Sequence, residues 1–276
     1  MNIAVLSGKG GTGKTTVSTN LALVLKANYI DCDVEEPNGF IFLKPSDINK
    51  KEVEVENPFI DYAKCTHCGD CSNVCQFNAL ARVKECIILF EKLCHSCGVC
   101  KIVCKHGAIE YEKRTIGVIE DGNSNDIQCK RGVLNVGEPM AVPIIKELLK
   151  NLNSGTNILD CSPGTSCNVV NTLQNVDLAV LVTEPSEFGL HDLKMAVELV
   201  RKFTIPMGIV INKNTSDENI ITKYCREENI PLLGYLPYRR DIAKQYSTGA
   251  MLIENKEYRS FFKNIAKNVK EASLWN

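Results

Sequence analysis

The sequence predicts an α/β fold: a doubly wound, mostly parallel sheet in three layers, helices on both faces, interrupted by a small insert. Three observations lead there. The chain opens with an apolar run, Ile3-Ala4-Val5-Leu6, then a glycine-rich loop, then an apolar helical stretch from Val17 to Leu25. Strand-like and helical runs alternate through the second half, the pattern of parallel strands joined by crossover helices. Between Asn57 and Thr115 that alternation gives way to two matching cysteine runs. The expected division is residues 1–56 plus 116–276 for the body and 57–115 for the insert.

Gly8-Lys9-Gly10-Gly11-Thr12-Gly13-Lys14-Thr15 fits G-x-x-x-x-G-K-[ST]. Set between a strand and a helix, that pattern is a phosphate cradle. Glycines let the backbone wrap an anion without Cβ clashes, and the helix behind them turns its amides and positive dipole end toward it. Lys14 is placed to reach the β- and γ-phosphates, and Thr15 to put its hydroxyl on Mg²⁺. The candidate ATP-binding segment runs from Gly8 to Thr16.

Lys9, directly after the first glycine, makes this loop resemble the deviant Walker A motif of the ParA/MinD and nitrogenase iron protein superfamily of P-loop NTPases. The resemblance implies ATP binding and slow hydrolysis, with Lys9 reaching across an ATP-dependent homodimer. It also implies Lys9, Lys14, Asp33 and Asp160 as catalytic groups. Asp33 closes the second strand, Ala27 to Asp33, at the position of the switch I carboxylate that orders the attacking water and the Mg²⁺ shell. By themselves, Asp31 and Asp33 also suit a turn. Asn157-Ile158-Leu159-Asp160, followed by Pro163-Gly164, resembles Walker B. Asp160 would then hold Mg²⁺ through water, and Gly164 would sense the γ-phosphate. Asn212 resembles the residue that reads the adenine edge, although an asparagine there also suits a turn. Pro237 lies in a stretch that resembles the loop flanking the base. Cys167 has the offset from Asp160 of one of two cysteines by which each iron protein subunit holds a bridging cluster. The second is missing, so no bridging cluster is expected.

Cys65-x2-Cys68-x2-Cys71-x3-Cys75 repeats 29 residues later as Cys94-x2-Cys97-x2-Cys100-x3-Cys104. In a chain without signs of export, such runs mean metal, not disulfides. They resemble a bacterial two-cluster ferredoxin, which implies an α+β insert and in which the fourth cysteine of each run ligates the other cluster. That resemblance assigns Cys65, Cys68, Cys71 and Cys104 to one 4Fe–4S cluster, and Cys94, Cys97, Cys100 and Cys75 to the other. Zinc is the competing metal, but closed zinc sites usually use paired Cys-x2-4-Cys knuckles. Gln76 and Lys105 stand where ferredoxins carry proline, which alters amide contacts to sulfur without touching the ligands. His67 and His95 are expected beside the clusters, not on them.

Arg114 to Arg131 is expected as a hairpin rejoining the body, Val133 to Val136 as a strand, and Ala141 to Leu149 as a helix. Strands follow at Leu178–Val182, Met207–Ile211 and Leu232–Leu236, with Ser186 capping a helix after the first. The terminal helix, about Lys256 to Ser273, keeps Phe262, Ile265, Ala266 and Val269 on one face and is expected to pack on its own core. Most of the remaining cysteines (Cys32, Cys86, Cys129, Cys161, Cys167 and Cys225) are by default small buried hydrophobes, with Cys167 kept apart as a switch II thiol near the dimer axis.

The formal net charge of −1 gives no electrostatic case for nucleic acid or a membrane surface. No run of 18 apolar residues appears, and Met1-Asn2-Ile3 enters a strand at once, so a cytoplasmic protein is expected. The favoured expectation is an ATPase whose nucleotide-controlled dimer gates electron transfer from two 4Fe–4S clusters to a partner protein. A ParA/MinD-like positioning or regulatory ATPase with redox-sensing clusters is the alternative. An iron–sulfur or metallocofactor assembly ATPase is the third, although only Cys225 lies where carrier ATPases place a Cys-x-x-Cys pair.

Overall fold

A computed structural model describes residues 1–150, 152 and 154–272; Ser273, the expected end of the last helix, lies outside the described residues. The opening unit is β1 (Asn2–Leu6), α1 (Lys14–Leu25) and β2 (Asn28–Asp31). Ile3 to Leu6 are buried without a break, as befits a strand covered on both faces. After the short α2 (Gly39–Leu43), β3 (Ser46–Ile60) leads out of the body. The insert holds α3 (Asp70–Asn73), β4 (Leu80–Val83), β5 (Cys86–Leu89) and α4 (Val99–Val103). The chain returns along β6 (Ile109–Ser124) and turns into β7 (Ile127–Leu134). Alternation then resumes with α5 (Val142–Leu149), β8 (Asn157–Asp160), α6 (Cys167–Leu173), β9 (Leu178–Thr183) and α7 (Glu187–Lys202). It ends with β10 (Met207–Asn214), α8 (Ile220–Glu227), β11 (Leu232–Pro237), α9 (Arg240–Ser247) and α10 (Lys256–Ala272).

Among the described residues nine strands form one sheet in the order β11-β10-β9-β1-β8-β2-β7-β6-β3, and β4 pairs with β5 alone. Every neighbouring pair from β11 to β7 is parallel, whereas β6 runs antiparallel to both β7 and β3. The three-layer, mostly parallel α/β architecture is therefore as expected. One face buries Ile3, Val5, Tyr29 and Ile158 against Val17 and Leu21 of α1 and Phe262, Ile265 and Val269 of α10. The apolar stripe of α10 is thus spent on the chain's own core. The opposite face carries Ala4, Leu6 and Leu181 against Val169, Leu193 and Val197, and Ile30 and Leu159 against Ile144 and Ile145.

The strand expected at Val133–Val136 begins and ends earlier, because β7 is the return arm of the hairpin. Asn135 N–H still reaches the Ile116 carbonyl, but Gly137 at φ 74° turns the chain away and Val136 is left fully exposed. Ser186 caps α7 as expected, its hydroxyl accepting from Gly189 N–H at 3.0 Å.

β3 and β6 pair from Ser46 with Asn123 out to Ile60 with Ile109. Residues 57 and 115 both fall inside this ribbon, so the body's sheet continues into the base of the insert. Beyond it, the two cysteine runs adopt matching backbones. His67 and Ser96 have φ 56° and 54°, and Gly69 and Gly98 have 90° and 84°. Asn78 and Gly107 have 52° and 59°, so the 29-residue repeat is also a repeat of conformation.

Candidate nucleotide site and cysteine cavities

The glycine loop lies where β1 ends, at the carboxyl edge of the parallel strands, the usual ligand side of an open α/β sheet. Two glycines there have no substitute. A Cβ on Gly8 would fall 2.1 Å from the Asp192 carbonyl oxygen. Gly13 sits at φ 89°, and a Cβ on it would fall 2.1 Å from Asn212 Nδ2.

Lys14 is buried and its Nζ lies 2.7 Å from Asp160 Oδ1. Burial opposes its charge, but Asp160 outweighs this and holds its pKa above that of an ordinary lysine. Tyr29 Oη donates to Asp160 Oδ2 at 2.8 Å and lies 3.2 Å from Asp31 Oδ2. Asp31 also accepts from Gly39 N–H at 2.9 Å. Burial, then the neighbouring Asp160, pushes Asp31 up to about 7, and burial pushes Asp33 up to about 6. Three carboxylates from the ends of β2 and β8 thus converge on one lysine. Thr12 Oγ1 is buried in the loop with no partner among the described residues. An orphaned hydroxyl in a cradle of this shape suits a phosphate oxygen. Thr15 and Thr16 occupy the first turn of α1, with Thr16 buried and Thr15 half-buried.

Lys9 Nζ lies 2.6 Å from Glu184 Oε1, and Lys213 Nζ lies 2.9 Å from Glu184 Oε2 and 3.1 Å from the Gly11 carbonyl. Lys9 is thus engaged within its own chain. Asn212 donates from Nδ2 to the Thr12 carbonyl at 2.8 Å, so it enters the loop. Pro237 is in register with Asn214 at the end of β11 and stays on the rim. Sequence reasoning missed Glu184, Lys213 and Tyr29. The first two follow or end parallel strands, the position that already drew attention to Asp33 and Asp160. Tyr29, an aromatic inside a strand, gives no such signal.

The eight cysteines of the runs sort into two cavities. Cys75, Cys94, Cys97 and Cys100 line one, together with His95, Ser96, Val99 and Tyr111. Cys65, Cys68, Cys71 and Cys104 line the other, with Thr66, Asp70 and His106. Backbone N–H groups of Ala79, Ser96 and Ala108 donate to the sulfurs of Cys75, Cys94 and Cys104 at 3.3, 3.4 and 3.3 Å. Burial pushes the Cys71 thiol up to about 11, a group that coordination would deprotonate. Among the described residues no three His, Cys, Asp or Glu side chains converge on a point suited to one metal ion. The thiols ring a space instead. Of the scattered cysteines, Cys32, Cys129, Cys161 and Cys225 are buried, Cys86 is half-buried and Cys167 is exposed.

A strand–loop–helix cradle with carboxylates from two neighbouring strands around its lysine defines a P-loop nucleotide-binding protein. Residues 3–253 match the CobQ/CobB/MinD/ParA nucleotide binding domain, and the chain belongs to that ATPase family. It is 35% identical over 278 residues to an uncharacterized protein of Methanocaldococcus jannaschii, covering 96% of each chain. It is 29% identical over 219 residues to the iron-sulfur cluster carrier protein of Pyrococcus horikoshii, covering 76% of this chain and 60% of that one. Among solved structures, the septum site-determining protein MinD of Pyrococcus horikoshii with Mg-ADP matches at TM-score 0.61 and 19% identity. That likeness covers 99% and 97% of the two chains and speaks to the fold alone. Among the described residues no helix is long and apolar enough to cross a membrane.

Proposed function

We propose that this chain is an ATP-hydrolysing iron–sulfur protein in which nucleotide state gates electron transfer from two 4Fe–4S clusters to a partner protein. The observation that carries the reading is the sorting of eight cysteines, four and four, with the last of each run crossing to the other cavity. Four thiols around each cavity match the four thiolates that a 4Fe–4S cluster would take, one to each iron, whereas closed zinc sites usually use paired Cys-x2-4-Cys knuckles. Bound there, the clusters would supply one-electron carriers.

The chain's own residues account for the nucleotide side. As it stands, Lys14 and Asp160 neutralise each other. A triphosphate entering the cradle competes for Lys14 and so frees Asp160, which with Asp33 and Thr15 would hold Mg²⁺, partly through water. One exchange of partners therefore prepares both the phosphate and the metal contacts. Glu184 restrains Lys9 in the same way, and release of Lys9 would let it serve a second copy of the chain. The β3–β6 ribbon starts from the sheet edge near β2 and β7, which gives motion at Asp31 and Asp33 a stiff route to the cysteines.

An anaerobic redox titration followed by EPR, without nucleotide, with ADP and with a non-hydrolysable ATP analogue, tests the coupling. Midpoints or spectra that shift with nucleotide are expected; identical titrations in all three states would defeat it. The resemblance to a protein named as an iron-sulfur cluster carrier favours a second reading, in which the clusters are cargo for assembly. Loss of iron to an apo-acceptor protein in the same samples would favour that reading over the first.

A further inference from the structure

We propose that the two cysteine cavities are unequal, and that the one ringed by Cys75, Cys94, Cys97 and Cys100 holds an electron in preference to the other. The inference rests on reading the insert as a two-cluster module. It starts from which cavity lies nearer the body. Pro58 and Tyr111, paired across the β3–β6 ribbon, line this cavity; Ile60 and Ile109, one step farther out, line the other. The first is therefore proximal to the nucleotide-binding body and the second distal.

The internal repeat then serves as its own control, because equivalent positions differ in chemistry. Ser96 replaces His67 at the same left-handed backbone position, and its hydroxyl is buried in the proximal wall with no partner among the described residues. Tyr111 replaces Arg82, and its Oη lies 3.9 Å from Cys100 Sγ. A metal-bound thiolate has no proton, so there the tyrosine must be the donor. Arg82 is exposed and reaches the Cys68 carbonyl at 3.3 Å, where water screens its charge. Val99 replaces Asp70, so the distal wall carries a carboxylate and the proximal wall an apolar side chain. Arg114 lies within electrostatic reach of Cys94 with its Nε buried and unpartnered, although Glu138 holds its two terminal nitrogens and Glu91 is also near. Hydrogen-bond donors aimed at sulfur raise a cluster's potential, and a nearby negative charge lowers it. Both differences favour the proximal site. A low-potential one-electron donor would lose one electron and the proximal site would gain it, the distal site remaining oxidised until the proximal one is filled.

The test is the EPR-monitored titration of the holoprotein, wild type against Ser96→Ala, Tyr111→Phe and Asp70→Asn, with iron counted in each. About eight iron per chain and two separate midpoints are expected. Ser96→Ala and Tyr111→Phe should each lower the higher midpoint by up to a tenfold change in the reduction equilibrium, about 59 mV for one electron. Asp70→Asn should raise the lower midpoint. Coincident wild-type midpoints, or a Ser96→Ala shift confined to the lower one, would overturn the inference while leaving the clusters in place. A wild-type chain purified without iron would bring down the cluster reading itself.

Discussion

On the body's side of the molecule, Ile3, Val5, Tyr29, Ile158 and Phe262 are wholly enclosed, along with dozens of neighbours on two sheet faces. In the insert the buried cluster is Ile60, Cys71, Leu80, Ile87 and Ile109, with four more cysteines half-buried against it. A small apolar core leaves a domain marginal, and the insert has a cluster of five for the 59 residues assigned to it, whereas the body packs both faces of its sheet. If the proposed clusters are bound, the chain combines two kinds of stability, packing in the body and metal in the insert.

The comparison can be broken in three places. Removing iron with a chelator should have the largest effect, since structural metal supplies about 10–16 kcal/mol in small metal-dependent domains. Limited proteolysis should then cut within residues 57–115 while the body keeps its melting transition. Loss of both together would show that the insert does not unfold separately. Phe262→Ala should come next, lowering body stability by about 3–5 kcal/mol in denaturant melts. Its iron content and cluster spectra should match wild type, and a drop in both would mean that the two regions share one core. Lys14→Ala should cost roughly a hundredfold or more in ATP affinity, about 2.7 kcal/mol, by calorimetry, again with iron unchanged. Unchanged affinity would remove the glycine loop from the nucleotide site.

What was legible in the sequence divides along the same line. The alternation of apolar strands and helices announces the parallel sheet because burial on both faces leaves few polar positions in β1, β8 and β9. The spacing of the cysteine runs announced their cavities, since a backbone repeat follows a spacing repeat. The β3–β6 ribbon was not read from the sequence: Val53 and Val55 alternate with Glu52, Glu54 and Glu56 as a half-buried strand would, but the run is short and Val53's partner, Gly117, lies 64 residues on. Nor were the partners of Lys9 and Lys14. Glu184 meets Lys9 across 175 residues of chain and Asp160 meets Lys14 across 146, while Tyr29 joins Asp160 across 131, a tertiary closeness that no local pattern encodes.

The strand order also sets a timetable. β1 pairs with β8 and β9, so the middle of the body's sheet cannot close until the chain past Thr183 has been made. The insert's own pairings, β4 with β5 and β3 with β6, are complete once Ser124 has emerged. At ~5–20 residues per second of synthesis, the cysteines stand assembled for several seconds before the phosphate cradle has its Asp160. Local pairings also form faster than distant ones. Assembly of this chain thus runs from the inside of the sequence outward: the cysteine-bearing segment has all its strand partners first, and the phosphate cradle closes after it.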